Sequence, residues 1–365
     1  MPLLPLVGHE EARSRVARAA HEGNFPHTVL IVGPPGVGKQ RFALWIAQLL
    51  ACEARGTEPC GTCVPCRKVL NLAHPDVHWL VPIPRPKAGE PDKQIEEAAE
   101  SLAEVMEERR QQPLWTPPEG MASHGVASAR LLLRRVALTP VEGGKKVFII
   151  GDAERLVPQE SSQEAANALL KVMEEPPADT VFILTASDPR RLLPTIRSRT
   201  VVLRLGRVSS GEVRRFVETH VTPTPAGAAL EAMVATAEGA IGTALTEDGS
   251  RAKARASAEA LLEAVLAGAA ERYERSLRQG PWQARGEFTE MLDALADLLS
   301  DAARDRAGIE PLRPLPRVLR SRTEMSGLVT AAERVQQARE AAQGNVNPQL
   351  LLATLSAELE GALCG

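Results

Sequence analysis

Aromatic residues are nearly missing from this sequence: they make up 3% of it, with a single tyrosine. The stretch richest in arginine, "PRRLLPTIRSRTVVLRLGRVSSG" from Pro189 to Gly211, holds none at all, which argues against a platform that stacks single-stranded bases. Net charge is almost absent too. With 46 acidic and 43 basic residues the net charge is −3, so any contact with nucleic acid has to come from a local cluster. No apolar run approaches the ~18 residues that mark a membrane span. The opening "MPLLPLVGHEEARSRV" lacks the basic start, apolar core and cleavage-like end of a secretory leader. A soluble, cytoplasmic chain with no membrane partner is expected. Cysteine is scarce outside one place: four of the five lie between Cys52 and Cys66. That density suits a metal site in a reducing compartment better than a scattered disulfide framework. Cys364 stands apart at the far end.

What is present reads as a folded protein: 365 residues, 44% of them hydrophobic, allow two or three domains with cores of their own. In "HTVLIVGPPGVGKQRFALWIAQLLAC" a β-branched run, Thr28 to Val32, enters a Gly/Pro turn and then a segment with apolar Phe42, Trp45, Ile46 and Leu49. That order predicts strand, loop, helix. "HPDVHWLVPIP" is a short strand candidate, "KKVFIIGDAERL" and "DTVFILTASD" are buried strands, and "QEAANALLKVMEEPP" is a helix stopped by Pro176 and Pro177. Between Pro82 and Gly125, prolines flank a helical stretch with Ile95, Ala99, Leu102 and Met106 in register, an inserted helical excursion. Strands alternating with helices predict a parallel sheet covered on both faces. From about Val208 the strand signals stop. We expect an α/β domain over 1–206, with a metal module at 52–66 and the helical insertion at 82–125. A small helical lid over 207–248 and an all-helical domain over 249–365 follow, with breaks at Val221 to Gly227 and Thr246 to Gly249.

"GPPGVGKQ", Gly33 to Gln40, is a phosphate-binding loop with its last letter changed. Such a loop between a buried strand and a helix offers backbone N–H groups and a helix N-terminus to an anion. Gly33, Gly36 and Gly38 permit the tight path, and Lys39 reaches the terminal phosphates as a point charge. The alternative is a generic Gly/Pro turn. The template has Ser or Thr after the lysine, whose hydroxyl holds Mg²⁺, and an acidic residue at the end of a second strand. Here Gln40 and Gly151 stand at those places, with Asp152 following. Losing both contacts removes transition-state stabilisation amounting to orders of magnitude in rate. Hydrolysis is therefore not expected, while binding of ATP or ADP through Lys39 stays open.

Cys52, Cys60, Cys63 and Cys66 fall in one loop broken by Gly and Pro. Four thiolates there can close a tetrahedral shell on structural Zn²⁺ with no open position. An iron–sulfur cluster, free thiols or a disulfide are the alternatives. His74 and His78 lie nearby but are read as ordinary surface or strand-end residues. Among the arginines of Pro189–Gly211, Arg199 precedes the strand "VVLRL" and is mounted to meet a phosphate on a neighbouring molecule, against the plainer reading of a solvated basic face.

Together, the loop followed by the four-cysteine module and "HPD", and "NALLKVMEEPPADTVFILTASDPRRLLPTIRSRT" from Asn167 to Thr200, resemble the clamp-loader family of bacterial DNA polymerase III, an AAA+ assembly. "GNVNPQLLLATLSAELE" is similar to its collar-closing helix. Within the family the resemblance is to delta-prime subunits rather than gamma/tau motors. A motor would have Ser or Thr at Gln40, Asp at Gly151 and a sensor arginine at Gly242; the Ser-Arg-Cys motif reads Ser198-Arg199-Thr200, and sensor-1 chemistry falls near Thr185 to Ser187. The resemblance implies an α/β P-loop AAA+ domain with an inserted zinc module, followed by a lid and a helical collar. It implies a stator that does not hydrolyse ATP but lends Arg199 in trans to the ATP site of gamma/tau. Its partners would be gamma/tau and delta, with the sliding clamp and primer-template DNA reached through the assembly. The alternative is an active gamma/tau-like ATPase motor; a phosphotransferase is disfavoured. The length of the 82–125 insertion departs from the family, and no function is assigned to it.

Overall fold

The computed structural model describes residues 3–87, 89–111, 122–142, 144–157, 163–222, 224–245, 250–279, 285–309, 311, 315–319, 324–342 and 346–364. The expected break at Thr246 to Gly249, residue 223 of the other break, and 112–121 of the insertion lie outside them. Two compact units divide at Leu245 and Thr246.

In the first unit the chain runs α1 (Glu10–His21), β1 (Thr28–Val32), α2 (Lys39–Ala51), α3 (Val64–Leu70), β2 (Val77–Leu80), α4 (Pro91–Gln111), α5 (Val126–Val136) and β3 (Lys146–Ile150). It continues with α6 (Glu164–Glu174), β4 (Thr180–Ala186), α7 (Pro194–Arg197), β5 (Val201–Arg204), α8 (Ser210–His220), α9 (Ala228–Ala237) and α10 (Ile241–Leu245). The five strands form one sheet in the order β2-β3-β4-β1-β5, every pairing parallel. Every residue of β1, β3 and β4 is buried, which is why they read as unbroken apolar runs rather than alternating ones.

Period-two alternation divides these residues between two layers. Leu30, Val32, Phe148, Ile150, Phe182 and Leu184 face one core, closed by α4, α5 and α6. Val29, Ile31, Val147, Ile149, Val181 and Ile183 face the other, closed by α1 and α2. The insertion is thus not an excursion from the domain. Ile95, Ala98, Leu102 and Val105 on one face of α4 are buried in the first core beside Leu131 and Leu132 of α5, a stripe at helical spacing that covers sheet surface. The register read from sequence was slightly rotated: Ala99 and Met106 are partly buried at its margin.

A small satellite cluster joins α8 and α9 through Val213, Val217, Leu230, Val234 and Ala237. Helix α8 starts on a capping box, in which Ser209 and Glu212 each accept the other's backbone N–H. The second unit consists, among its described residues, of α11 (Ser250–Ala267), α12 (Ala269–Leu277), α13 (Arg285–Arg306), α14 (Met325–Ala342) and α15 (Pro348–Cys364). Met291, Leu292, Leu295, Leu298 and Leu299 of α13 are buried in its core. None of the described helices is long and apolar enough to cross a membrane.

Candidate functional site

Crossing from β4 over β1 to β5 makes β1 the point where the strand order reverses, and the carboxyl end of such a strand is where open parallel sheets bind ligands. The loop Gly33–Gly38 leaves β1 at this point and feeds α2. A Cβ on Gly33 would stand 2.4 Å from the Leu205 carbonyl oxygen, so only glycine fits there. Gly36 and Gly38 take left-handed backbone, φ 77° and 92°, where a side chain is strained. Helix α10 lies directly on this loop: Gly242 N–H donates to the Gly36 carbonyl at 2.8 Å, and a Cβ on Gly242 would come within 3.0 Å of Gly36 Cα.

Lys39 is only 6% exposed and turns back onto its own loop. Its Nζ donates to the carbonyls of Gly33 (2.9 Å) and Pro34 (2.8 Å) and to Ser187 Oγ (2.9 Å). Burial lowers its pKa, opposed by the charges of Glu154 and Asp152. Gln40 fills the neighbourhood of the missing carboxylate, since its amide atoms lie 3.1–3.2 Å from where a Cβ on Gly151 would be. Gln40 Nε2 donates to Asp152 Oδ2 at 3.1 Å, and Gln40 Oε1 accepts from an Arg109 NH₂ group at 2.9 Å. Asp152 sits in left-handed backbone, φ 49°, with its N–H donating to Thr185 Oγ1. Ser187 N–H donates to Glu154 Oε1 at 3.0 Å, and burial raises the Glu154 pKa. The Thr185–Ser187 stretch therefore touches both Asp152 and Lys39.

Three members of this constellation were not legible as site residues: Arg109, Glu154 and His124. Arg109 is 69 positions from Gln40, so no local spacing connects them. His124, 2% exposed, donates from Nε2 to the Gly151 carbonyl at 2.7 Å, and burial lowers its pKa to about 4.

The four cysteines converge: their sulfurs all lie within 4.8 Å of one another, and none is bonded to another. A tetrahedral Zn²⁺ shell at ~2.3 Å per bond sets sulfurs ~3.8 Å apart, so the donor set fits with a small contraction. Backbone N–H groups of Cys60 and Cys63 point at Cys52 Sγ and Cys60 Sγ, both at 3.4 Å. Hydrogen bonds led by the Cys63 N–H, with help from Thr62, lower the Cys60 pKa to about 6, while burial pushes the Cys66 thiol up. His74 is not a surface residue. It is 8% exposed, its Nδ1 accepts from the Asp76 N–H at 3.1 Å, and its Nε2 lies 3.2 Å from a Glu142 carboxylate oxygen. His78 lies in β2 with its ring 4.8 Å from that of Phe148, and burial takes its pKa to about 4.

Arg199 stands between α7 and β5, far along the chain from the loop. One terminal nitrogen donates to the Thr195 carbonyl at 2.9 Å and the other to Glu174 Oε1 at 3.0 Å. That pair faces solvent, with side chains 30% and 55% exposed.

A parallel sheet with a glycine-rich phosphate loop and its lysine at the carboxyl end of a switch-point strand defines the class: a P-loop α/β nucleotide-binding fold, here with Gln40 following the lysine and Gly151 following the third strand. The family model described as DNA polymerase III, delta subunit, matches residues 8–209, more than half of the 365, and the chain belongs to that family. Among similar curated proteins are the DNA polymerase III subunits delta' of Pseudomonas aeruginosa, 34% identical over 176 residues (48% of this chain, 42% of the relative), and of Haemophilus influenzae, 32% over 191 residues (52% and 46%). The tau subunit of Escherichia coli is 29% identical over 247 residues, 66% of this chain and 31% of that one. The chain thus spans less than half the length of these relatives.

Proposed function

We propose that this chain is a delta-prime-type stator of a bacterial DNA polymerase III clamp loader, helping to load the sliding clamp on primer-template DNA in the cytoplasm, with gamma/tau and delta as direct partners. Family membership and the delta' relatives support the assembly. The observation that carries the stator role is the filled metal position: Gln40 packs on Gly151 and is bonded on both sides, so neither a hydroxyl nor a strand-end carboxylate is there to hold Mg²⁺. The chain holds its own loop closed and does not hydrolyse ATP. It contributes Arg199 to the ATP site of the gamma/tau neighbour, where a guanidinium in trans stabilises the charge that develops on the transferred phosphoryl group. Partial exposure, and a place between a short helix and a strand, suit Arg199 to that role once it exchanges its Glu174 partner for a phosphate. The four-cysteine module holds structural Zn²⁺.

In an assembly reconstituted with gamma/tau and delta, Arg199→Ala is expected to lower DNA-stimulated ATP turnover by about tenfold or more, while the variant alone melts as the parent does. Unchanged turnover would defeat the finger assignment. The motor reading is tested on the purified chain: an ATPase rate abolished by Lys39→Ala would establish it in place of the stator.

A further inference from the structure

The Mg²⁺ that a loop of this class shares with its nucleotide does not fit these residues. The amide of Gln40 occupies the space beside Gly151 where a strand-end side chain would project, and Asp152, the next residue in the chain, is engaged by Gln40 Nε2. Behind the amide stands a cation. Arg109, delivered by α4, donates to Gln40 Oε1, is 5% exposed, and has its guanidinium carbon 3.8 Å from the centroid of the Trp79 ring. Cation–π contact and burial fix it in place. The charged groups that meet here are Lys39 and Arg109 against Asp152, Glu154 and, on the Arg109 side, Glu108. A divalent cation would enter beside two cations already fixed against these carboxylates, and the Gln40 amide stands where its strand-end ligand would project.

We propose that this loop is a metal-free phosphate site: Arg109 supplies, one hydrogen bond behind Gln40, the positive charge that a divalent cation supplies elsewhere, and the ligand is a nucleoside di- or triphosphate without Mg²⁺. The phosphate-facing parts of the loop remain, namely the backbone N–H groups at the start of α2 and the Lys39 ammonium, which exchanges carbonyl partners for phosphate oxygens. Arg109 acts as a positioning residue, setting the charge of the site. The insertion that carries it thereby acquires a role: α4 covers the sheet and brings the counter-charge to the loop. The inference rests on the pocket being non-hydrolysing and is otherwise independent of Arg199.

The test is calorimetric titration of the intact chain with ATP and with ADP, in EDTA and in excess Mg²⁺. Affinity in EDTA is expected to equal or exceed that in Mg²⁺. A gain of about tenfold or more on adding Mg²⁺ would overturn the proposal, as would no binding in either buffer. Arg109→Met, which keeps bulk over Trp79, is expected to cut the metal-free affinity by about tenfold. If circular dichroism shows that variant unfolded, the Gln40→Thr/Gly151→Asp double variant decides instead. It restores the two anchors and is expected to shift the preference toward Mg²⁺; an unshifted ratio of the two affinities would count against the assignment. Failure to bind leaves the trans role of Arg199 standing, since that is read in the partner's turnover, whereas Mg²⁺-dependent hydrolysis by the chain alone would remove both.

Discussion

At the scale of single residues, the site shows how one substitution recruits others. Gln40 cannot ligate a metal as a hydroxyl would, but it is long enough to reach across to Gly151, and the absence of a side chain there gives it room. The Gly151 carbonyl accepts from His124, an imidazole that is 2% exposed. Its folded pKa of about 4 lies below the ordinary 6.5, so the unfolded chain binds the proton more readily. The stability this contributes is complete above pH 6.5 and is lost as pH falls through the window to about 4. At about 1.4 kcal/mol per pKa unit, roughly 3 kcal/mol is at stake. Melting curves between pH 7 and pH 4.5 are expected to fall in temperature, and His124→Gln to flatten that dependence; an equally steep decline in the variant would point to other groups. By contrast, the Arg199–Glu174 pair faces solvent, and such pairs contribute about 0–1 kcal/mol. Glu174→Gln should therefore leave the melting temperature nearly unchanged.

At the scale of elements, α4 and the cysteine loop make opposite demands on the sequence. Helix α4 follows from its apolar spacing, but its place in the core follows from the sheet surface left uncovered beside α5 and α6. Leu102 is 3% exposed in that core, and Leu102→Ala is expected to cost about 2–5 kcal/mol in denaturant unfolding, the range for a buried leucine that leaves a cavity. A cost below ~1 kcal/mol would mean that α4 is loosely attached. The cysteine loop has little core of its own and depends on convergence of its sulfurs. The purified chain is expected to carry one equivalent of zinc by elemental analysis, and Cys63→Ser to lose it. Full retention in the variant would argue against the four-sulfur site.

At the scale of the molecule, each unit has its own apolar interior: two layers flank the sheet in the first, and one cluster joins α11, α13, α14 and α15 in the second. A fragment ending at Leu245 is accordingly expected to unfold cooperatively on its own, since a domain with a complete core needs no neighbour to fold. A broad, non-cooperative melt of that fragment would show that its core is incomplete. Strand β5 lies at a sheet edge with Val201 and Val202 exposed, close after Arg199 in the chain, so the residue proposed to act on another subunit belongs to the side of the sheet that is open.

The sequence by itself determined the strands, the phosphate loop, the cysteine convergence and the presence of Gln40 and Gly151 where the loop template has a hydroxyl and a carboxylate, because each is written in spacings of a few residues that local backbone geometry converts directly into structure. Burial of His74, the packing of α4 into the core, and the meeting of Arg109 with Gln40 were decided only by the tertiary structure. Those contacts join segments that are far apart in the chain or depend on which face of a helix a sheet leaves uncovered. Such pairings follow from how the layers close over one another, and no local pattern encodes them.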